Sequence, residues 1–255
     1  YFEIKEGTLK DFTPTTFIFG AKSASGYRRA KAIIKLINTV AERINNDRRV
    51  NDKLHVVFVE NYRVSVAEKI FPAADVSEQI STAGLEASGT SNMKFMCNGA
   101  LTMGTMDGAN IEIVEEAGKQ NAFIFGLLTE EIQKIEREHS YNPQEYLERN
   151  PALAKVVNQL VDGTYDPTHQ LFKELHDSLV YGVEGNRADV YYVLADFDSY
   201  CKAQEKVEVL YKDQLKWAKA CLKNIANSGK FSSDRTIEDY VKDIWKLKKL
   251  PIKSK

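Results

Sequence analysis

The stretch "STAGLEASGTSNMKFMCNGA", residues 81–100, differs in composition from the rest of the chain. It holds three glycines and five serine or threonine residues, and it then places Lys94 at the head of the apolar run Phe95, Met96 and Cys97. Elsewhere, lysines lie beside acids and other bases. The question is why a lone lysine follows a loop of glycines and hydroxyls and stands beside apolar neighbours.

The loop has the composition of a phosphate-binding site. Gly84, Gly89 and three hydroxyl residues precede a helix that is predicted to begin near Asn92. Backbone N–H groups at a helix N-terminus attract anions, glycine allows the backbone to approach them closely, and hydroxyls add donors. Neither the GxxxxGK[ST] order nor the GxGxxG fingerprint is present. Ordinary glycine-rich loops share this composition, so the loop alone leaves both interpretations open.

The lysine suggests a covalent role. Burial among apolar side chains disfavours an ammonium, and a neutral amine can condense with an aldehyde, so Lys94 is a Schiff-base candidate. A phosphate cradle beside such a lysine matches the two ends of pyridoxal phosphate. The alternative is a surface lysine whose stem lies over a helix. Glu86 is likewise open: it can bind sugar hydroxyls, act as an acid or base, or be a solvated carboxylate.

Composition and charge exclude several functional classes. A net charge of −1 over 255 residues gives no field that would recruit nucleic acid or an anionic membrane. No apolar run approaches the roughly 20 residues needed to span a bilayer. The three cysteines are far apart and the four histidines lack metal-ligand spacing. We therefore expect a cytoplasmic protein with reduced thiols, no metal site, and no nucleic-acid or membrane partner.

Strand and helix patterns alternate in the first half of the chain. A long helix is predicted over residues 26–47, with apolar residues at three- and four-residue steps. The run at residues 54–60 is apolar on both faces, as in a parallel sheet covered on both sides. Four further strands are predicted near residues 15–20, 75–81, 100–105 and 121–126. This order predicts an α/β fold with a Rossmann-like open parallel sheet and flanking helices, its core spanning about residues 15–126. Helical patterns fill residues 127–255, either packed on the same sheet or as a separate domain.

Longer segments carry a more specific signal. "EASGTSNMKFMCNGALTMGTMDGAN", residues 86–110, resembles the signature region of the α-glucan phosphorylases, the family of glycogen, starch and maltodextrin phosphorylases. Residues 19–37, 59–84 and 224–245 resemble other segments of that family, so the resemblance covers nearly the whole chain. Three positions depart from its usual pattern: Ser25 stands where proline is common, Ser91 where glycine is frequent, and Cys97 where leucine or methionine is usual. Because cysteine is small, we expect looser packing behind Lys94.

The resemblance implies a particular site. Members of the family carry pyridoxal 5'-phosphate as a Schiff base on the signature lysine, here Lys94, and use the cofactor's phosphate to exchange a proton with the substrate phosphate. The reaction is reversible phosphorolysis of a terminal α-1,4-linked glucose, which gives glucose 1-phosphate with retained configuration. By position, Lys94 and Glu86 are the implied catalytic residues. Cofactor contacts are implied for Lys94, Tyr62, Arg63, Thr90 and Ser91, and glucosyl contacts for Glu86, Ala87, Ser88 and Gly89.

The resemblance also implies a larger protein. The family has a two-domain glycosyltransferase fold of the B type, with the active site between two Rossmann-like halves. Residues 1–255 resemble the C-terminal, cofactor-binding half alone, and the glucan-binding N-terminal half is expected upstream of residue 1. Implied partners are that missing half, the glucan, and inorganic phosphate or glucose 1-phosphate, and the full-length protein is expected to be a homodimer. We therefore expect the isolated chain to be inactive.

Three alternatives remain open on the sequence alone. One is a nucleotide-sugar glycosyltransferase of the same fold, and another is a pyridoxal-phosphate enzyme acting on amino acids. The latter needs a partner for the pyridine nitrogen, and the sequence identifies none. The third is a non-catalytic module that binds a cofactor or a sugar. Asp107 and Asn110 in "GTMDGAN" are interpreted as turn and helix-cap residues that shape the wall of the pocket.

Overall fold

The computed structural model describes residues 1–248 and Leu250, which form two compact units. The first unit comprises Tyr1–Lys69 and Gly126–Glu208, and the second comprises Ile70–Phe125 and the described residues from Val209 onward. The strands are β1 (Thr15–Gly20), β2 (Leu54–Val59), β3 (Val76–Gln79), β4 (Leu101–Gly104) and β5 (Phe123–Ile124). The α-helices are α1 (Phe2–Glu6), α2 (Arg28–Asn45), α3 (Val64–Ile70), α4 (Ser91–Cys97), α5 (Asn110–Ala117), α6 (Thr129–Glu138), α7 (Pro143–Arg149), α8 (Pro151–Asn158), α9 (Lys173–Val180), α10 (Val193–Lys212), α11 (Gln214–Ala226) and α12 (Ser233–Asp239).

The first unit is built around a parallel pair of strands. β1 and β2 run side by side from Thr15↔Leu54 to Gly20↔Val59, and α2 connects them. The inward face of α2 packs with β2 in an apolar core that includes Ile44, Leu54 and Val56. The amphipathic helix α2 and the alternating strand β2 thus each bury one face.

The other face of β2 differs from the prediction. Val57 is 43% exposed and His55 is also exposed, although the sequence predicts cover on both faces. An apolar run allows both faces of a strand to be buried, but each face is buried only where another layer of the protein covers it. Within the described part of the first unit, α2 supplies that layer on one face.

The helices from α6 to α10 complete the first unit. Leu153 and Val157 of α8 form a buried cluster with Val180 of α9 and Leu194 of α10. A second cluster joins Phe172 and neighbouring apolar residues to the helical face of α2. Helices α6 to α12 confirm the helical patterns predicted after residue 127, except at residues 249 and 251–255, which lie outside the described residues.

The second unit is built around a three-stranded parallel sheet in the order β3-β4-β5. The central strand β4 is fully buried, and α4 and α5 follow β3 and β4. Met96 of α4 and Ile113 of α5 are buried together against Phe231. Trp217 of α11 stacks on Phe123 of β5, with ring centroids 6.4 Å apart.

The last helical stretch of the second unit changes type along its length. α12 ends at Asp239, and a π-helical turn continues it over Tyr240–Ile244. Ser232 is its N-cap residue and makes no side-chain capping bond. None of the helices in the described residues is long and apolar enough to cross a bilayer.

The predicted fold class is confirmed: parallel sheets with flanking helices form a mixed α/β structure. All five predicted strands are present. They form two sheets, however, where the sequence predicts one open sheet, because strand patterns are local and strand pairing is not. The assignment of residues 1–255 to one C-terminal domain stays a prediction.

Candidate functional site

The loop between β3 and α4 lies at the carboxyl end of a parallel strand. Ligands of open α/β sheets bind in the crevice at this end. Glu86, Ala87, Ser88 and Thr90 have exposed side chains, and Gly89 is half-buried with φ +83°. The loop therefore presents the side chains predicted for sugar and phosphate binding to the outside of the second unit.

Beneath this exposed loop lies a buried polar cluster, formed by Asn92, Thr105, Asp107 and Asn110. Their relative exposures are 2%, 1%, 4% and 2%. Thr105 Oγ1 donates to the carbonyl of Ser81 at 2.6 Å. Asn110 Nδ2 donates to the carbonyl of Thr105 at 3.0 Å, and its Oδ1 accepts from Asn92 Nδ2 at 3.1 Å. Buried polar groups are retained when they are hydrogen-bonded, and these bonds tie the cluster together and to the loop.

Asp107 makes the largest number of bonds from the cluster to the loop. Its Oδ1 accepts from the backbone N–H of Gly84 at 2.8 Å, and its Oδ2 accepts from the N–H of Glu86 at 2.9 Å and from Ser81 Oγ at 2.7 Å. Burial by itself raises the pKa of Asp107, but the hydrogen bonds from Ser81 and the backbone outweigh it and hold the pKa below its usual value. Asp107 is therefore ionised at neutral pH.

Gly108 lets the next segment approach the loop. Its φ is +51°, and a Cβ added there would lie 2.6 Å from the carbonyl oxygen of Ser88. The following N–H, of Ala109, donates to that same carbonyl at 2.7 Å. Only glycine combines this backbone conformation with so close a contact.

The start of α4 holds the hydroxyls predicted to bind phosphate. Thr90 is the N-cap residue and makes no side-chain capping bond, so its hydroxyl is not used to close the helix. Ser91 Oγ accepts from Gln79 Nε2 at 3.3 Å. Lys94 lies one turn after Thr90, on the same face of the helix.

Lys94 itself is exposed, as the alternative of a surface lysine predicts, and the described neighbours do not bury it. Its Nζ lies 5.8 Å from the centroid of the Phe71 ring, and Phe71 contacts Phe95 edge-on. Met96 is fully buried on another face of α4. Cys97 is exposed, and the looser packing expected behind Lys94 stays a prediction. A seven-residue helix buries only one face, and the consecutive residues Phe95, Met96 and Cys97 lie on different faces of the helix.

Tyr62 and Arg63 belong to the first unit, where they follow β2. A Cβ added at Gly20 would lie 2.7 Å from Tyr62 Cδ2, so the tyrosine ring covers the end of β1. Arg63 Nη1 donates to the carbonyl of Asn61 at 3.3 Å. The structure brings these two residues together in the first unit, and it brings the other candidates, residues 86–91 and Lys94, together in the second.

The sequence missed the buried polar cluster. Asp107 was interpreted as a turn residue, but its carboxylate reaches back more than twenty residues to the loop. Asn110 was interpreted as a helix cap, but the N-cap of α5 is Ala109, and the Asn110 side chain bonds upstream. The usable signal was the group of three polar residues, Thr105, Asp107 and Asn110, around Gly108 and directly after a strand.

Comparisons with known proteins show the family of the chain. The family model described as carbohydrate phosphorylase matches residues 1–247. The muscle form of glycogen phosphorylase from Homo sapiens is 51% identical over 246 residues, which is 96% of this chain and 28% of that relative. The liver form from Ovis aries is 52% identical over 254 residues, 99% of this chain and 29% of that relative. The chain thus spans less than a third of the length of these relatives, and it belongs to the carbohydrate phosphorylase family.

Proposed function

We propose that the chain is the pyridoxal-phosphate-binding part of a glycogen or maltodextrin phosphorylase. The complete protein would catalyse reversible phosphorolysis of terminal α-1,4-linked glucose to glucose 1-phosphate. The observation that carries this proposal is the arrangement on α4, where Lys94 follows the hydroxyls of Thr90 and Ser91 by one turn in a chain of this family.

The residues present fit the cofactor. Pyridoxal phosphate needs an amine and an anion site close together. Lys94 offers an exposed amine over the Phe71 ring, and the hydroxyl of Thr90 is not engaged in capping. The first N–H groups of α4 add donors directed at an anion. The family resemblance also implies cofactor contacts for Tyr62 and Arg63, which follow β2.

Each group of residues then has a separate role. When bound, the cofactor supplies a phosphate that exchanges a proton with the substrate phosphate. Lys94 anchors the cofactor, and Thr90 and Ser91 fix the position of its phosphate, which proton transfer requires. Glu86, Ala87, Ser88 and Gly89 bind the glucosyl hydroxyls. The carboxylate of Glu86 accepts from the N–H of Ser88 at 3.4 Å. This bond holds the carboxylate close to the loop that carries the other proposed sugar contacts.

The remaining length of the protein would supply the other half of the site. The chain spans 28% of the human muscle relative, and we expect the missing length to contain the glucan-binding half, the cationic group for substrate phosphate and most homodimer contacts. On this proposal, the chain alone releases no glucose 1-phosphate from glycogen. We also propose that the complete protein is cytoplasmic.

A direct activity comparison tests the proposal. We expect the complete protein to release glucose 1-phosphate from glycogen and phosphate, and Lys94→Ala to abolish that release. Lys119→Ala removes another exposed lysine of the second unit and should leave the rate unchanged. Transamination of amino acids, or glucosyl transfer from a nucleotide sugar in place of phosphorolysis, would contradict the proposal in favour of one of the alternatives.

A further inference from the structure

The turn after the central strand of the second unit buries several polar side chains together. Leu101 and Met103 of β4 are fully buried, whereas the turn that follows buries the polar cluster of Asn92, Thr105, Asp107 and Asn110. Burying an ionised carboxylate is costly unless it is paired or fully hydrogen-bonded. A wall that only needed to be filled would be made from apolar side chains at lower cost. The cluster therefore does something that apolar packing cannot.

Three hydrogen bonds that the Asp107 carboxylate accepts come from the same loop. Both carboxylate oxygens are used, and the donors are the N–H groups of Gly84 and Glu86 and the hydroxyl of Ser81. Bonds from N–H groups to a carboxylate are about twice as strong as neutral ones. The backbone is therefore fixed immediately before the residues proposed to bind the sugar.

The other end of the same segment is also fixed. The carbonyl of Ser88 accepts from the N–H of Ala109 at 2.7 Å and from Asn92 Nδ2 at 3.2 Å. Residues 84–88 thus carry exposed side chains on a backbone that is held at both ends from below. This combination preforms a binding loop without burying the side chains that do the binding.

We propose that Asp107 is a positioning residue, whose carboxylate sets the backbone of residues 84–88 so that the glucosyl contacts are in place before substrate binds. The proposal rests on the proposed function only in naming the sugar as the ligand of this loop. Asp107 does not touch the substrate. It acts through the N–H groups of Gly84 and Glu86.

The test is Asp107→Asn in the complete protein. The amide keeps the shape of the side chain but replaces one accepting oxygen with a donor, so either the Gly84 or the Glu86 N–H loses its partner. Amide hydrogen exchange at these two residues should accelerate by about tenfold or more. Because misplacing a binding group by about 1 Å can cost about 100-fold, we expect kcat/KM for glucan to fall by about 10- to 100-fold. The absorbance of the bound cofactor should be retained.

Asp166→Asn is the matched control. Asp166 also accepts from backbone N–H groups, those of Gln170 and Leu171, but in a loop of the first unit. This variant should lower the melting temperature while leaving exchange at Gly84 and Glu86 unchanged and kcat/KM within about twofold, because the bonds of Asp166 reach only Thr168, Gln170 and Leu171.

Should Asp107→Asn fail to fold, Ser81→Ala takes its place. It removes one bond to Asp107 and no charge. Faster exchange at Glu86, with a fall in kcat/KM of about three- to tenfold, would support the proposal. Unchanged exchange at both amides, or unchanged kcat/KM when a folded variant has lost protection there, would overturn it. Failure of the proposed function is a different result, because it appears as missing phosphorolysis in the unmodified protein while exchange still reports on the loop.

Discussion

Two loops of the molecule are each held by one aspartate, and they differ in how far the carboxylate reaches. Asp166 in the first unit accepts from Thr168, Gln170 and Leu171, all within five residues. Asp107 in the second unit accepts from residues 21 to 26 positions earlier in the chain. The bonds of Asp166 fix a turn that leads directly into the buried Phe172. Those of Asp107 fix an exposed loop from a distance. The short-range bonds of Asp166 direct the chain into its core, whereas the long-range bonds of Asp107 order an exposed loop.

The glycines of the two loops give the largest difference. Gly108 and Gly163 both have positive φ, so alanine is strained at either position. At Gly108 the new Cβ would also meet the backbone oxygen of Ser88 at 2.6 Å, whereas at Gly163 it would meet the movable His169 ring at 3.0 Å. We expect Gly108→Ala to cost about 2–5 kcal/mol and Gly163→Ala about 1–2 kcal/mol in urea unfolding. Equal costs would mean that the loop yields easily and is not fixed.

The hydroxyls that donate to each aspartate give a smaller difference. Ser81 Oγ donates to Asp107, and Thr168 Oγ1 donates to Asp166. Ser81→Ala should lower the free energy of unfolding by about 1 kcal/mol, because it removes one hydrogen bond to a buried carboxylate. Thr168→Val should leave hydrogen exchange in the Asp107 loop unchanged. If it altered exchange at Gly84 or Glu86, the two loops would not be independent.

The smallest expected effect is a loss of stability at acid pH, and it should be similar for the two loops. Hydrogen bonds lower the pKa of both carboxyl groups below the ordinary value, in Asp107 despite the opposing effect of burial. An ionised carboxylate with a lowered folded-state pKa stabilises the fold fully above its unfolded-state pKa of about 3.9. That contribution is lost as the pH falls through the folded-state pKa. The stability difference between wild type and Asp107→Asn should therefore be constant above about pH 5 and shrink below about pH 4.

An opposite slope is expected from a third aspartate. Burial raises the pKa of Asp196 to about 6, although the N–H of Leu127 partly offsets it. A raised carboxyl pKa means that the fold binds the extra proton, so this group destabilises the protein progressively as the pH rises from about 4 to about 6. Asp196→Asn should remove that decline. A decline that persisted in the variant would assign it to another group.

The sequence predicts local structure well and long-range structure poorly. The helix at residues 26–47 and the start of α4 near Asn92 follow from apolar period and from the glycine and hydroxyl signals beside them. The pairing of strands into two sheets depends on contacts between distant residues, which no local pattern records. The exposure of Val57 depends on whether a second layer is present.

The site shows the same division. The exposed loop and Lys94 were found from composition and from family resemblance, because their residues are contiguous. The cluster beneath them was missed, because Asp107 and Asn110 also satisfy the ordinary pattern of a turn and a helix start. Their role becomes visible only through bonds to residues far away in the chain.

The most direct test of the central claim is the position of the cofactor on the complete protein. Borohydride reduction of the cofactor-loaded protein, followed by peptide mapping, should place a pyridoxyl group on Lys94 and on no other lysine. The Lys119→Ala control should label as the wild type does, and Lys94→Ala should not label. A pyridoxyl group on a different lysine, or a fully folded and active protein without one, would contradict the claim.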